Sequence, residues 1–410
     1  MQRKNKTNNV LMVVENHYPF DIRVSKEIAA LKKEFNITLV CLKSKDEKYY
    51  EKRDQIEVIR IPELPSPPKV KNKLLQSIFV KAHYIMHYFY FTTMATLILL
   101  FTVWKNQYKV IHVHNPPDTL FVLGLLAKLF SIHFVFDHHD LSPELYLTRF
   151  SGEKDIFYSL LLTLEKFTVK LADIIITTNN SYKSLVSLRH SKDPARFYIV
   201  RNDPRLEELI FPQNPHTASM HERKFKLLFL GSINPQDGID ILLQIIHYLV
   251  NSLKRKDIIC YVVGSGDSLD EMKDLATELD LDNYVLFTGL IRDRELVKKH
   301  LFESDICLEP APFSPLNNHS TFIKIMEYMA VGKPIVAFDL KETRFSSNGA
   351  AILVPSGDTK EFALAIKRLM DTPTLRRGLG KAGIQRTRSE LNWSRASDIL
   401  LCAYRSLLLK

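Results

Sequence analysis

Short apolar, β-branched runs alternate with helix-forming stretches along almost the whole chain. A strand, a helix and a second strand in succession return the chain in the same direction, so this alternation predicts α/β architecture with parallel sheets wound by crossover helices. A polar stretch from Arg205 to Arg223, which contains Pro212 and Pro215, interrupts the pattern. The predicted strands are Val10–Val14, Ile37–Leu42, Val58–Ile61, Val110–His114, Phe134–Phe136, Ile174–Thr177 and Tyr198–Val200 before the interruption, and Lys226–Leu230, Ile258–Val263, Val285–Thr288, Ile306–Leu308, Ile335–Ala337 and Ala351–Leu353 after it.

The interruption divides a chain that is too long for a single core. Single hydrophobic cores stop growing at about 250–300 residues, whereas this chain has 410. We therefore predict one doubly wound domain over residues 1–205, a linker over 206–222 and a second doubly wound domain over 223–390. Residues 391–410 predict an amphipathic C-terminal helix. Ligands in such sheets bind beyond the carboxyl ends of the strands.

The cysteines indicate a reducing compartment. There are four, and none forms a Cys-x-x-Cys pair, which excludes a zinc ribbon and a disulfide scaffold. The first nine residues are polar and lead directly into a strand, so no signal peptide is predicted. We expect a cytoplasmic protein.

The distribution of charge favours a membrane as the anionic partner. The net charge is +10, and the 54 residues between Glu63 and Asp118 contain no carboxylate. Within them, Ala82–Trp104 is apolar and aromatic, and lysines precede it. A single crossing would separate strands of one parallel sheet, so we expect residues 69–104 to lie at the cytoplasmic surface of an anionic membrane. The alternative is a helix buried in the domain core. A nucleic-acid partner is disfavoured because these basic residues flank an apolar run.

The distribution of glycines predicts that phosphate groups bind to the second half of the chain. Only Gly124 and Gly152 precede Gly231, and the other eleven of the 13 glycines lie at or after that position. Because glycine lets a backbone approach phosphate groups closely, a nucleotide is expected in the C-terminal domain.

One short helix carries the clearest candidate site. Ser320 or Thr321 is a suitable N-cap, and Gly332 is a suitable stop. Helical spacing then aligns Ser320, Lys324 and Glu327. The helix start and Lys324 would hold a diphosphate, and Glu327 would accept hydrogen bonds from ribose hydroxyls. The alternative is a Lys–Glu surface pair.

The run Ser-x3-Lys-x2-Glu-Tyr-Met-Ala-x-Gly-Lys-Pro-Ile-Val-Ala, which begins at Ser320, resembles the donor-binding helix of retaining glycosyltransferases of the GT4 type. The resemblance covers essentially the whole chain and implies the GT-B fold, in which two Rossmann-like domains face a cleft and the C-terminal helix packs back toward the first domain. The other segments that resemble this family are Val110–Asp118, Phe136–Glu144, Leu171–Ile175, Leu230–Gly238 and Val263–Asp267.

The resemblance and the predicted strand ends together give the site residues. His139 matches the family's histidine near the donor sugar and is the expected catalytic residue. The expected donor-binding residues are Glu327, Lys324, Ser320, Thr321, Gly231, Gly264, Arg201 and Asn202, and the acceptor-side candidates are Asp21, Arg23, Asp118 and Glu144.

No metal or other cofactor is expected. The cluster of Asp137, His138, His139 and Asp140 is an alternative metal site, but adjacent strand residues point to opposite faces.

The chain departs from the family pattern at three positions. The first glutamate of the family's Glu-x7-Glu pair is replaced by His319, and the basic residues after the first strand of the C-terminal domain are replaced by Ser232 and Asp237. The identity of the donor sugar therefore stays open.

The resemblance implies transfer of a sugar from a nucleotide-diphosphate donor, expected to be UDP-linked, to a lipid-linked or saccharide acceptor with retention of configuration. Such a reaction would belong to cell-surface polysaccharide or lipopolysaccharide-type biosynthesis. Two alternatives remain: a nucleotide-sugar 2-epimerase of similar two-domain fold, and a nucleotide-sugar-binding scaffold without catalysis, which His319 and the missing basic pair suggest.

Overall fold

The structure, a computed structural model, describes residues 8–53, 55–68, 70, 73–150, 154–209 and 224–408, without the side chains of residues 73, 74 and 77. The described residues form two compact units. The first contains those of 1–147, 153–200 and 397–410, and the second contains those of 148–152 and 201–396. Lys69, Lys71 and all of the predicted linker beyond residue 209 lie outside the described residues.

The first unit is built on an eight-stranded sheet with the order β3-β4-β2-β1-β5-β6-β7-β8. Its pairings are parallel except that of β3 with β4. The direction of winding reverses between β1 and β5, and the core strand residues are fully buried. The strands are β1 Asn9–His17, β2 Asn36–Lys43, β3 Tyr50–Arg53, β4 Ile56–Pro62, β5 Val110–His114, β6 His133–His138, β7 Ile174–Thr177 and β8 Phe197–Ile199.

Side-chain caps fix the starts of several helices that cover this sheet. The Asp21 carboxylate accepts a hydrogen bond from the backbone N–H of Val24, and the Asp155 carboxylate caps α5 in the same way. The Asn179 side chain caps α6. The helices are α1 Ile22–Leu31, α2 Lys73–Asn106, α3 Phe121–Leu129, α4 Ser142–Arg149, α5 Ile156–Leu171 and α6 Asn180–His190.

Helix α2 connects β4 to β5 and has two unlike faces. Phe91, Ala95 and Leu99, spaced by four residues, are fully buried against the first unit. Phe89, Phe101 and Trp104, on the opposite face, are 72%, 81% and 78% exposed. By length and composition Ile78–Asn106 could cross a membrane, but both of its flanking strands belong to one sheet. Only 28% of its most apolar window is buried in the protein. The helix is therefore half-buried rather than a core helix.

The second unit contains a six-stranded parallel sheet with the order β11-β10-β9-β12-β13-β14. Winding reverses between β9 and β12, which creates the position where doubly wound sheets bind ligands. The strands are β9 Phe225–Leu230, β10 Ile258–Val263, β11 Val285–Gly289, β12 Ile306–Glu309, β13 Ile335–Phe338 and β14 Ala351–Val354. The helices are α7 Ile239–Asn251, α8 Leu269–Glu278, α9 Arg294–Glu303, α10 Pro315–His319, α11 Ile323–Ala330, α12 Lys341–Ser347, α13 Thr359–Asp371 and α14 Pro373–Ser389.

The final helix, α15 (Trp393–Leu408), ends in the first unit. Tyr404 is fully buried there, its ring lies 5.2 Å from that of Phe35, and its hydroxyl lies 2.7 Å from Nδ1 of His112 on β5. Arg405 forms an ion pair with Glu34. The predicted return of the C-terminal helix to the first domain is confirmed.

Candidate active site

Two glycine turns lie together at the carboxyl ends of β9 and β10. A Cβ atom on Gly264 would lie 1.8 Å from the carbonyl oxygen of Gly231, so only glycine permits this approach of the two backbones. The N–H of Gly231 donates to the carbonyl of Val263 at 3.0 Å, which continues the ladder into the turn. The predicted donor-binding glycines are therefore neighbours in space.

The helix predicted between an N-cap at Ser320 or Thr321 and a stop at Gly332 is present as α11, but both predicted N-caps are wrong. Ser314 caps a separate short helix, α10, and Ser320 is its C-cap, with its hydroxyl donating to the carbonyl of Leu316 at 2.8 Å. Helix α11 begins only at Ile323, after an extended residue, Phe322. Pro315 is the first residue of α10, and its fixed φ favours the start of a helix at that position. Lys324 and Glu327 remain one turn apart on α11, whereas Ser320 precedes that helix.

Lys324 projects from the first turn of α11 into the end of the sheet. Its Nζ lies 2.9 Å from Oε2 of Glu309, the last residue of β12, and 4.1 Å from the ring centroid of Phe229. A Cβ atom on Gly231 would lie 3.0 Å from Cε and Nζ of this lysine, so the glycine leaves it room. This ammonium group therefore stands where the sheet reverses its winding.

Glu309 was not among the predicted site residues. Its side chain is 1% exposed and one of its oxygens accepts from the N–H of Ala311 at 3.2 Å. Burial raises the pKa of Glu309, and Lys324 opposes that increase. The sequence signal that could have identified it is an acid directly at the end of a buried strand.

The guanidinium of Arg201 lies beside the segment between α10 and α11. It donates to the hydroxyls of Ser346 at 3.1 Å and of Thr321 at 3.4 Å, and it stacks on the ring of Phe345. Glu342 lies 3.6 Å away. The structure thus brings two predicted donor-binding residues, Arg201 and Thr321, into contact, and the half-buried Asn202 follows directly in the chain.

In the first unit, His139 follows the last residue of β6 and is held by its backbone. The side chain of Asn115 accepts from the backbone N–H groups of His139 and Asp140, at 3.0 Å and 3.3 Å, and donates to the carbonyl of Asp140 at 2.7 Å. The imidazole of His139 is 18% exposed, with Nδ1 3.8 Å from Oδ1 of Asp137. Although burial opposes it, the nearby carboxylate of Asp137 raises the pKa of His139.

Arg23 was predicted to face an open acceptor site, but its side chain is buried. It is 4% exposed, donates two hydrogen bonds to Asp137 at 2.8 Å and 2.9 Å, and lies 3.2 Å from Glu27. The spacing of Arg23 and Glu27 along α1 turns both toward the sheet. Although burial opposes it, Arg23 holds the pKa of Asp137 well below its usual range.

The same cluster contains metal-type donor atoms. Glu27, His112, His114 and Asp137 are fully buried, and one donor atom of each lies within 4.8 Å of the others. Burial raises the pKa of Glu27 and lowers those of His112 and His114. The cation present in this cluster is the guanidinium of Arg23, which pairs with both acids.

His138 lies on the other face of β6, as the alternation of strand residues predicts. Its Nε2 lies 2.9 Å from Glu165, which also contacts His190 at 2.6 Å and Arg189 at 2.9 Å. The alternative metal site of residues 137–140 therefore does not form, because its two histidines contact different carboxylates.

The remaining acceptor-side candidates are buried or act as helix caps. Glu144 is 7% exposed and pairs with Arg189. Asp118 is 4% exposed, and burial raises its pKa to about 6. Asp21 caps α1 and accepts a second hydrogen bond from Asn16 at 2.8 Å.

A carboxylate and an imidazole that were not predicted meet where β1 ends. Oε1 of Glu15 lies 2.7 Å from Nε2 of His87 on α2. Burial, together with the charge of Glu63, raises the pKa of Glu15 to about 8, and burial lowers that of His87. Both pKa shifts favour the uncharged forms of the two side chains. The sequence signal was a histidine within the apolar run.

Comparison with known proteins covers both units. Residues 224–372 match the family described as glycosyl transferases group 1, and residues 23–203 match the glycosyl transferase 4-like domain. A relative from Kineococcus radiotolerans, called D-inositol 3-phosphate glycosyltransferase, is 25% identical over 265 residues, with 59% of each protein covered. A relative of the same name from Saccharomonospora viridis is 28% identical over 188 residues, or 44% of this chain and 42% of that protein. These alignments span less than two thirds of either relative.

Solved structures show the same fold. Sucrose-phosphate synthase from Thermosynechococcus elongatus superposes with a TM-score of 0.74 at 19% identity, covering 98% of this chain and 99% of that one. HepE from Anabaena, in complex with UDP, gives 0.68 at 15% identity, covering 97% and 100%. Together with the two matching domains, these likenesses establish that the chain belongs to the group 1 glycosyltransferases of the GT-B fold.

Proposed function

We propose that the protein transfers a sugar from a UDP-linked donor to a lipid-linked or saccharide acceptor with retention of configuration, without a metal cofactor. The reaction would serve cell-surface polysaccharide or lipopolysaccharide-type biosynthesis at the cytoplasmic face of a membrane. The observation that carries the proposal is the position of Lys324 and Glu327, one turn apart on α11, beside the glycine turn at the end of β9.

The chemistry of this position suits a nucleoside diphosphate. In the described part of the chain no side chain caps α11, so the first N–H groups of the helix can bind an anion together with the Lys324 ammonium. Glu327 is half-buried one turn further on, where its two oxygens can accept from both ribose hydroxyls. A HepE structure contains UDP-glucose, and we extend that ligand class to this chain by proposal.

In the proposed reaction, an acceptor hydroxyl attacks the anomeric carbon on the face that the diphosphate leaves. The bond from that carbon to the phosphate oxygen breaks, and the departing phosphate takes the proton of the acceptor. The donor-binding residues hold the leaving group. His139 would contact the sugar or stabilise the charge that develops on it.

The exposed face of α2 supports a peripheral membrane location. Large apolar side chains lie along this face, and its inner face is fixed on the sheet. Such a helix can bury its outer face in the interfacial region of a bilayer without crossing it. Lys81 is paired with an acid, because its Nζ lies 3.9 Å from Oδ2 of Asp155 and 3.0 Å from the Tyr146 hydroxyl.

The binding test uses Glu327→Gln and Lys324→Ala. Charge-assisted hydrogen bonds contribute about 1.5–3 kcal/mol each, so we expect Glu327→Gln to weaken UDP binding by about tenfold or more in calorimetry. Lys324→Ala should reduce affinity for UDP far more than affinity for uridine, since its proposed partner is the diphosphate. Unchanged UDP affinity in a folded Glu327→Gln protein would refute the ribose assignment.

The activity test incubates the wild-type protein with radiolabelled UDP-sugars and membrane extract and identifies the products. A labelled saccharide or lipid with retained anomeric configuration is the expected result. Recovery of an epimerised UDP-sugar would instead identify a 2-epimerase. Binding of UDP without conversion of any donor would identify a scaffold.

A further inference from the structure

Lys324, the proposed partner of the diphosphate, is already engaged by an acid. Its Nζ lies 2.9 Å from Oε2 of Glu309, and the two side chains are 10% and 1% exposed. The ring of Phe229 covers the ammonium at 4.1 Å. A carboxylate that loses its cationic partner in such surroundings cannot be stabilised by solvent instead.

The groups around Glu309 do not replace that cation. The N–H of Ala311, on the same segment, donates to Oε1 at 3.2 Å. Asp237, from the 3-10 helix Pro235–Asp237, adds a like charge, and its Oδ2 accepts from the N–H of Asn234 at 3.0 Å. Tyr328 of α11 is also near, but its hydroxyl accepts from the N–H of Leu230 at 2.9 Å. Lys324 is the cation that the described residues bring to Glu309.

We propose that Glu309 is a proton-accepting residue of the donor site, which holds Lys324 while the site is empty and takes up one proton when the diphosphate draws Lys324 away. The inference rests on the proposed function, because it requires a diphosphate beside Lys324. The step balances simply: Lys324 keeps its charge, the ion pair is broken, and the carboxylate of Glu309 gains a proton from solvent.

The charges favour this exchange. An occupied site would otherwise place the diphosphate beside two carboxylates, Glu309 and Asp237, with one lysine among them. Burial already raises the pKa of Glu309 while Lys324 lowers it, so removal of Lys324 leaves only the hydrogen bond from the Ala311 N–H to oppose that increase. Protonation removes one negative charge from the site. Uridine carries no phosphate and therefore cannot compete with Glu309 for Lys324.

The experiment measures proton uptake by the full-length wild-type protein. UDP is titrated calorimetrically between pH 7.5 and pH 9, where its phosphates are ionised, in EPPS and in Tris buffer, which differ in ionisation enthalpy and carry no phosphate. The difference in heat between buffers should correspond to uptake that approaches one proton per UDP, and affinity should fall by up to about tenfold per pH unit as pH rises through the window. Uridine should bind without proton uptake.

Two variants identify the proton acceptor. Glu309→Gln keeps the shape and the acceptor for Ala311 but cannot titrate, so proton uptake should disappear and UDP affinity should become independent of pH. Glu303→Gln removes the acid of another Lys–Glu pair, with Lys226 at 2.7 Å on the surface, and should behave as wild type.

The outcomes separate this inference from the proposed function. UDP binding by the wild-type protein with heat independent of the buffer would overturn the role of Glu309 and leave the donor site standing. Undiminished uptake in Glu309→Gln would assign the proton to another group and also overturn it. Absence of UDP binding would overturn both proposals.

Discussion

His139 and His138 are neighbours in sequence but have different surroundings. His139 is partly exposed beside Asp137, whereas His138 is enclosed with Glu165. If His139 acts on the donor sugar, its loss should appear in turnover and not in nucleotide binding. We expect His139→Ala to bind UDP normally while sugar transfer falls by about 10²-fold or more.

The control for this prediction follows from the same surroundings. His138→Ala would leave Glu165 without one of its partners and would disturb folding. His133, half-exposed at the start of the same strand, is the better match, and His133→Ala should transfer sugar at the wild-type rate. A wild-type rate in His139→Ala would remove this residue from the reaction, and an equal loss of UDP affinity would make it a donor-binding residue.

Glu15 gives a prediction about pH. Because burial raises its pKa from 4.5 to about 8, the folded protein retains a proton there that the unfolded chain has lost between these values. Folding stability therefore falls as pH rises through this window. In Glu15→Gln that decrease should shrink, so the melting temperature of the variant relative to wild type should be higher at pH 8 than at pH 5. An equal difference at both pH values would contradict the pKa shift.

At the residue scale the sequence identified strand ends but not burial. His139, Asp118 and Glu144 follow strands as predicted, yet only the structure shows that Arg23 and Glu144 are consumed in ion pairs. Their partners, Asp137 and Arg189, are distant in the chain. A motif specifies residue types at one place in the sequence. The partner of a buried charge depends instead on which distant segment the fold packs against it.

Among the elements, α2 carries the membrane proposal. Replacing Phe89, Phe101 and Trp104 with serine changes its exposed face only, so the protein should stay folded but pellet less with anionic vesicles. Phe91→Ala, on the buried face, should instead lower folding stability by about 3–5 kcal/mol. Sedimentation and thermal unfolding distinguish the two effects. Equal sedimentation of wild type and the triple variant would exclude this face as the contact.

The elements that periodicity missed are small. The strand β3 lies at the edge of its sheet, where it pairs with β4, and its residues are mostly exposed and charged. It therefore lacks the apolar alternation that marks a strand. The N-cap of α11 was misplaced because Ser320 and Thr321 are good caps locally, whereas the helix starts after Phe322. Fully buried strands such as β5 were predicted with correct bounds, because their apolar runs reflect burial directly.

At the scale of the whole molecule, the last turns of α15 contribute to the buried core of the first unit. The Tyr404 hydroxyl is the partner of Nδ1 of His112, which is fully buried. Tyr404→Phe leaves that nitrogen unpaired, at a cost of about 1–3 kcal/mol. We expect hydrogen exchange to accelerate in β1 and β5 and to stay unchanged in β9 and β12. Uniform acceleration in both sheets would contradict this assignment.

The position of α15 near the end of the described residues also affects when the first unit can fold during synthesis. Residues from 397 onward complete a unit whose other described residues end at Val200, roughly 200 residues earlier. At about 5–20 residues per second, the ribosome delivers them about 10–40 s later. During that interval the nascent first half exposes the surface that Tyr404 will cover, so it must be shielded or remain incompletely folded. A chain arrested after its second sheet would lack the residues of α15 that complete the first unit, so the first unit can finish folding only after this helix has been synthesised.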